Sequence, residues 1–170
     1  MSNLISRKQF LSLTAAGSAA LLVAKPLFLP AQTTAPKKVK GDPLAAELVK
    51  EWVGKAHSDL VRVKELFVQE PRLLNASWDW GGGDFETALE AAGHVGNRDI
   101  AQFLLDNGAR MNLFCAAMLG QLDIVKSTLD AFPDLKNSGG PHGLKLKHHA
   151  TKGGEQARHV LEYLESIGAG

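Results

Sequence analysis

The sequence predicts an all-α fold built from short helix pairs, and three observations carry that expectation. The stretch 87–112 (TALEAAGHVGNRDIAQFLLDNGARMN) holds two apolar stripes at helical spacing. Leu89, Ala91 and Ala92 form one; Ile100, Ala101, Phe103, Leu104 and Leu105 form the other. Gly96 parts them and Asn107-Gly108 closes the second, as expected where glycine supplies the left-handed residue after a helix. The layout recurs over 111–131, where Leu113, Ala116, Ala117 and Gly120 precede an Asp123-Ile124-Val125 run. Finally, residues 70–75 (EPRLLN) and 132–137 (FPDLKN) share the pattern x-P-x-L-x-N, and each copy leads into a Gly-rich loop.

Thr87, Leu89, Ala92, Gly96, Asp99, Ile100, Leu104, Leu105, Gly108 and Ala109 together resemble an ankyrin repeat, whose pattern runs T-P-L-H-x-A, a Gly turn, D/E-I-V, L-L and G-A. Ala88 replaces the family's Pro. Glu90 replaces its His, which is expected to remove some hydrogen bonding at the start of the repeat. The resemblance implies an ankyrin-repeat solenoid of about four helix pairs with divergent terminal repeats, which cap the stack.

In chain order, the first helix is expected over residues 43–57. Asp42 is its candidate cap, Pro43 lies in its first turn, and Leu44, Leu48 and Trp52 share one face. Asp59 caps a second helix with Val63, Leu66 and Phe67 inward. The loop 76–84 (ASWDWGGGD) stands where the family places its β-turn finger and is longer than the family needs. After the central repeat only Ala109-Arg110 separates one pair from the next, so that finger is nearly absent. In the third pair Ile124, Val125 and Leu129 are expected to face the core. The last pair comprises a polar helix over 144–151, a turn at Lys152-Gly153-Gly154, and a helix over 155–167 with Ala157, Val160, Leu161 and Leu164 inward. Lys145, Lys147, His148 and His149 read as a solvated C-terminal cap.

A chain of 170 residues, 45% hydrophobic and 22% charged, matches one ordinary globular domain. The net charge of +1 gives no basic field for nucleic acid. One cysteine, Cys115, excludes an internal disulfide and a CxxC metal site, and its small neighbours Ala116 and Ala117 point to a buried thiol. The N-terminus has signal-peptide anatomy: Arg7 and Lys8, a short apolar run over 13–24, and Leu29-Pro30-Ala31 at the candidate cleavage point. Ser6-Arg7-Lys8-Gln9-Phe10-Leu11 resembles a twin-arginine export signal with Lys8 in place of the second Arg. The run is too short for a membrane span of roughly 20 residues. The expected organisation is a signal peptide over 1–31, a flexible linker over 32–42 and a repeat domain over 43–170, located in the periplasm or secreted. Losing Arg7, Lys8 and Lys25, and no acid, turns the formal +1 into −2.

No catalytic constellation, cofactor motif or metal-ligand spacing is evident. Gly81-Gly82-Gly83 lacks the Lys-Ser/Thr of a phosphate loop, and Asp79 with Asp84 matches no calcium loop. His57 and His94 read as polar residues at helix ends. The resemblance implies a non-catalytic scaffold for another protein. Its candidate partner-binding residues are Trp78, Asp79, Trp80 and Asp84, with Arg110 and His142 on the later inter-repeat loops; Trp is common at interface hot spots. Extended alternation would put Trp78 and Trp80 on one side and Asp79 on the other. The alternatives are an accessory subunit that stabilises an exported enzyme, and a small hydrolase or metal-binding protein using His142, His148 and His149.

Overall fold

The computed structural model describes residues 41–170. The expected signal peptide and linker residues 32–40 lie outside the described residues. The described chain is mostly helical, with eight α-helices and one two-stranded sheet. The helices follow one another as pairs: α1 (Ala46–Lys55) with α2 (Leu60–Gln69), α3 (Ala88–Val95) with α4 (Arg98–Asp106), α5 (Leu113–Leu119) with α6 (Leu122–Ala131), and α7 (Leu146–Lys152) with α8 (Arg158–Ser166). The first helices of successive pairs pack on one another, α1 on α3, α3 on α5 and α5 on α7. Strands β1 (Ser77–Asp79) and β2 (Phe85–Thr87) form an antiparallel hairpin between the first two pairs.

Local chemistry explains the boundaries. Asp59, Asn97 and Asn112 each accept a hydrogen bond from the backbone N–H three residues on, satisfying one of the free donors at a helix start. At α3 Thr87 and Glu90 form a reciprocal capping box: the Thr87 backbone N–H and hydroxyl donate to Glu90 Oε2, and the Glu90 N–H donates to the Thr87 hydroxyl. Glu90 therefore replaces bonding at the start of the repeat, against the loss expected from the missing His. Gly96 and Gly120 end α3 and α5 in the left-handed conformation, with φ of 84° and 77°. The two x-P-x-L-x-N copies adopt the same 3₁₀ turn, Pro71–Asn75 and Pro133–Asn137.

The core follows the helical stripes. Trp52, Val53, Val63, Leu66, Leu89, Ile100 and Leu104 are buried in one cluster, and Val125, Leu129, Leu146, Val160 and Leu164 in a second. An aromatic row of Trp52, Phe67 and Phe103 joins the first two pairs, with centroid separations of 6.5 and 5.7 Å. Arg98 ties two later elements to α4. Its guanidinium donates to the carbonyls of Met118 (2.8 Å), Leu119 (3.3 Å) and Gly153 (2.9 Å), which end α5 and α7.

Several expectations are corrected. Helix α1 starts at Ala46, with Ala45 extended and Asp42 not capping it; Arg72 holds the Asp42 carbonyl at 3.0 Å instead. Ile124 is 42% exposed, because Val125 and Leu129, four apart, set the buried stripe and Ile124 lies about 100° away from it. His149 is fully buried, since Leu146, His149 and Ala150 fall on one face of α7. A 3₁₀ turn, Gly154–Ala157, precedes α8. Cys115 is buried as expected, and desolvation pushes its thiol up to about 12. Among the described residues no helix is long and apolar enough to cross a membrane.

The glycine caps provide a paired test of this packing. Gly108 and Gly120 both have positive φ, but a Cβ at Gly108 would enter open space while one at Gly120 would strike the Gln156 carbonyl. Gly108→Ala should cost about 1–2 kcal/mol for the left-handed backbone alone, and Gly120→Ala distinctly more. Urea midpoints read the difference; equal shifts would contradict the close approach of the third and fourth pairs.

Candidate functional site

The hairpin is built to bury one charge. Its register pairs Ser77 with Thr87, Trp78 with Glu86, and Asp79 with Phe85. Alternation along β2 sends neighbours to opposite faces, so Phe85 is 60% exposed while Glu86 is fully buried. The turn is closed by Asp79, whose Oδ1 accepts from the N–H groups of Gly81 (2.8 Å) and Gly83 (3.2 Å). Gly81, Gly82 and Gly83 all have positive φ, which explains three glycines in succession. The Trp80 N–H then donates to the Asp84 carbonyl at 3.0 Å.

Four side chains surround the Glu86 carboxylate. Trp80 Nε1–H donates to Oε2 at 2.8 Å. His57 Nε2, from the turn after α1, lies 3.6 Å from the same oxygen. His94 Nδ1, near the end of α3, lies 2.8 Å from Oε1, and His142 Nε2 lies 3.4 Å from it. The His94 ring centroid is 4.9 Å from that of His57 and 5.1 Å from that of His142. Burial alone would raise the Glu86 pKa; the contacts from His94 and Trp80 outweigh it and hold the carboxyl below its ordinary range.

His142 reaches this place from a second loop. Gly139 and Lys145 form a single antiparallel bridge, and the turn Pro141–Gly143 places His142 at φ 59°, a left-handed conformation. Asp84 holds it there: Oδ1 accepts the His142 backbone N–H at 2.8 Å, and Oδ2 lies 2.6 Å from its Nδ1. The backbone bond and then the ring bond hold the Asp84 carboxyl below its usual range. On the other side, His57 Nδ1 lies 3.0 Å from the Gly54 carbonyl and 3.2 Å from that of Val53. One donor atom from each of His57, Glu86, His94 and His142 lies within 4.8 Å of the others, a set that could hold a metal ion.

Of the residues expected to form the binding surface, the structure brings Trp78, Asp79, Trp80, Asp84 and His142 to this edge. Trp78 is half-buried against the first core cluster and lies under the Lys50 ammonium. Trp80 is partly exposed and meets His57 edge-on, with centroids 6.4 Å apart. Asp79 is occupied in the turn. Arg110 sits elsewhere, in a groove lined by Asn75, Thr87, Glu90 and Met111. His148 and His149 do not join His142 in the cluster: His148 Nε2 contacts the His94 carbonyl at 2.9 Å. Burial pushes the His149 pKa down to about 4, which keeps the ring neutral at ordinary pH. Glu86, His57 and His94 were not legible as site residues. The available signal was the period-two pattern Phe85-Glu86-Thr87, which puts a lone carboxylate on the inward face opposite Trp78. Comparison with family models, with curated proteins and with solved structures finds no match to this chain.

The Asp84–His142 junction has a pH signature. A carboxyl whose folded pKa is depressed contributes stability that is present above its unfolded value of about 3.9 and lost as pH falls through the lower folded value. Asp84→Asn should therefore lower the melting temperature at neutral pH, and the gap to the parent should close as pH falls below that range. A gap that persists unchanged at the lowest pH where both fold would contradict the charge assignment.

Proposed function

We propose that this chain is an exported, ankyrin-like scaffold that binds another protein and has no catalytic activity of its own. Export rests on the basic, apolar and small-residue pattern of the first 31 residues. The ankyrin-like reading rests on the residue pattern of 87–129 and is supported by the serial packing of first helices. The observation that carries the binding role is the pair of hydrogen bonds that Asp84 accepts from His142, which locks the hairpin to the Gly139–Lys145 loop. Two loops so joined make a preorganised edge, and preorganisation lowers the ordering cost of association. Phe85 and Trp80 stand exposed on it, as apolar and aromatic anchors.

Phe85 offers the cleaner probe, because Trp80 also serves Glu86. Phe85→Ser should leave the melting temperature nearly unchanged and reduce capture of the partner from a periplasmic extract by about 30-fold or more, the effect of losing a hot spot of about 2 kcal/mol. Phe132→Ser, at an equally exposed residue beyond α6, is the control and should retain capture. Equal capture by both variants would remove the hairpin edge from the binding surface.

A further inference from the structure

We propose that Glu86, His57, His94 and His142 bind a divalent transition-metal ion, zinc foremost. The argument begins with where the imidazole protons must be. His57 Nδ1 faces the carbonyl oxygens of Val53 and Gly54, which only accept, so Nδ1 carries the hydrogen and, in the neutral ring, Nε2 carries the lone pair. His142 Nδ1 faces the Asp84 carboxylate, with the same consequence. Both Nε2 lone pairs point toward a buried carboxylate, which also has only lone pairs to offer. Facing lone pairs repel unless a positive species, a second ring proton or a metal ion, lies between them, and at 3.4 and 3.6 Å both separations are longer than an ordinary N–H···O hydrogen bond.

The fourth ring leads to the same place. His94 Nδ1 and Glu86 Oε1 are 2.8 Å apart, yet their approach lies outside hydrogen-bond geometry. Both atoms are fully buried without a hydrogen-bond partner among the described residues. Glu86 Oε2 is already engaged by the Trp80 indole, which leaves Oε1 as a single ligand oxygen. Three imidazole nitrogens and one carboxylate oxygen then converge. Bonds of about 2.0–2.2 Å in a tetrahedron place ligand atoms about 3.4 Å apart. His94 Nδ1 and His142 Nε2 stand 2.8 and 3.4 Å from Oε1, at or inside that value, and His57 Nε2 approaches from the Oε2 side of the carboxylate at 3.6 Å. The widest pair, within 4.8 Å, closes by a modest inward movement of the rings.

The surroundings complete the design. Metal-bound histidines characteristically donate their other N–H to a carboxylate or a backbone carbonyl, and Asp84 and the α1 carbonyls stand in those places. The donor set selects among ions: imidazole nitrogen suits zinc, copper, nickel and iron, while calcium and magnesium prefer all-oxygen sites. His57 and His142 are 27% and 34% exposed, which gives an ion a route in from solvent. The ligands come from the first and second helix pairs, from the hairpin between them, and from the loop before the fourth pair. A bound ion would therefore clasp the hairpin edge described above, although the site stands on its own geometry and does not depend on a protein partner.

The test uses the full chain without a histidine tag, stripped with chelator. Zinc titrated in a calorimeter should bind at one equivalent with micromolar affinity or tighter and raise the melting temperature. Cobalt in its place should give the visible absorption of a four-coordinate N/O site. The partly exposed ligands are the safe ones to change, with folding checked by circular dichroism: His57→Gln and His142→Gln should each weaken zinc by 100-fold or more. Asp84→Asn, a positioning change, should weaken it by about 10–100-fold. His159→Gln, outside the cluster, should bind as the parent does. Absence of one-equivalent binding by the parent, or binding by folded His57→Gln and His142→Gln at parental affinity, would overturn the proposal. Magnesium or calcium binding in preference to zinc would do the same.

Discussion

The architecture around the fingers depends on the burial of one carboxylate. Taking an ionised carboxylate out of water costs several kcal/mol even after relaxation. Glu86 has no exposed surface, and nothing in its own strand can offset that cost. Trp80, across the hairpin turn, offsets part of it with a hydrogen bond, and three histidines on three other elements converge on the same carboxylate. The hairpin register is therefore strongly specified. A slip of one residue would send Glu86 to solvent and Phe85 into the polar cluster. Asp79 and the glycine run hold the register locally, and Asp84 holds it against the later loop.

That long-range contact depends on something missing between the second and third pairs. Only a short link separates α4 from α5, so no finger projects between the hairpin and the Gly139–Lys145 loop. Fingers that belong to non-adjacent pairs can then touch, and Asp84 meets His142. Arg98 performs the matching task at the opposite ends of the inner helices, where it satisfies the last carbonyls of α5 and the cap of α7. Both devices are polar and directional. They set the spacing of α3, α5 and α7, while the apolar stripes supply most of the driving force.

Legibility in the sequence followed the range of the interactions. Helix pairs and glycine stops are local, so Asp59, Gly96 and Gly120 could be read directly, whereas the capping box of Thr87 and Glu90 stands where a loss of hydrogen bonding was expected and Asp42 does not form its expected cap. The 3₁₀ turns at Pro71 and Pro133 were legible as one echoed motif. Errors arose where a second stripe or partner decided the outcome: Ile124 lost its burial to Val125 and Leu129, and His149 gained burial from Leu146 and Ala150. The site was read only in part. Its outer residues, Trp80, Asp84 and His142, sit on conspicuous loops. Its inner residues do not, because His57, Glu86 and His94 look like ordinary polar residues at helix and strand ends until tertiary packing gathers them. The adjacent pair His148-His149 is already a poor ligand pair in the sequence, because neighbouring side chains on a helix point about 100° apart.

The account of the Glu86 site requires His57 and His142 to carry their hydrogen on Nδ1 and to present Nε2 to Glu86. Long-range proton–nitrogen NMR correlation spectra of ¹⁵N-labelled, chelator-treated protein report the tautomer of each ring directly. At a pH of about 8, above the ordinary histidine range, the account predicts Nδ1–H tautomers for both residues, with the His142 signal reverting toward a mixed tautomer in Asp84→Asn. Nε2–H tautomers for the two rings would mean that they simply donate hydrogen bonds to Glu86, and would contradict the convergent arrangement of lone pairs around that carboxylate.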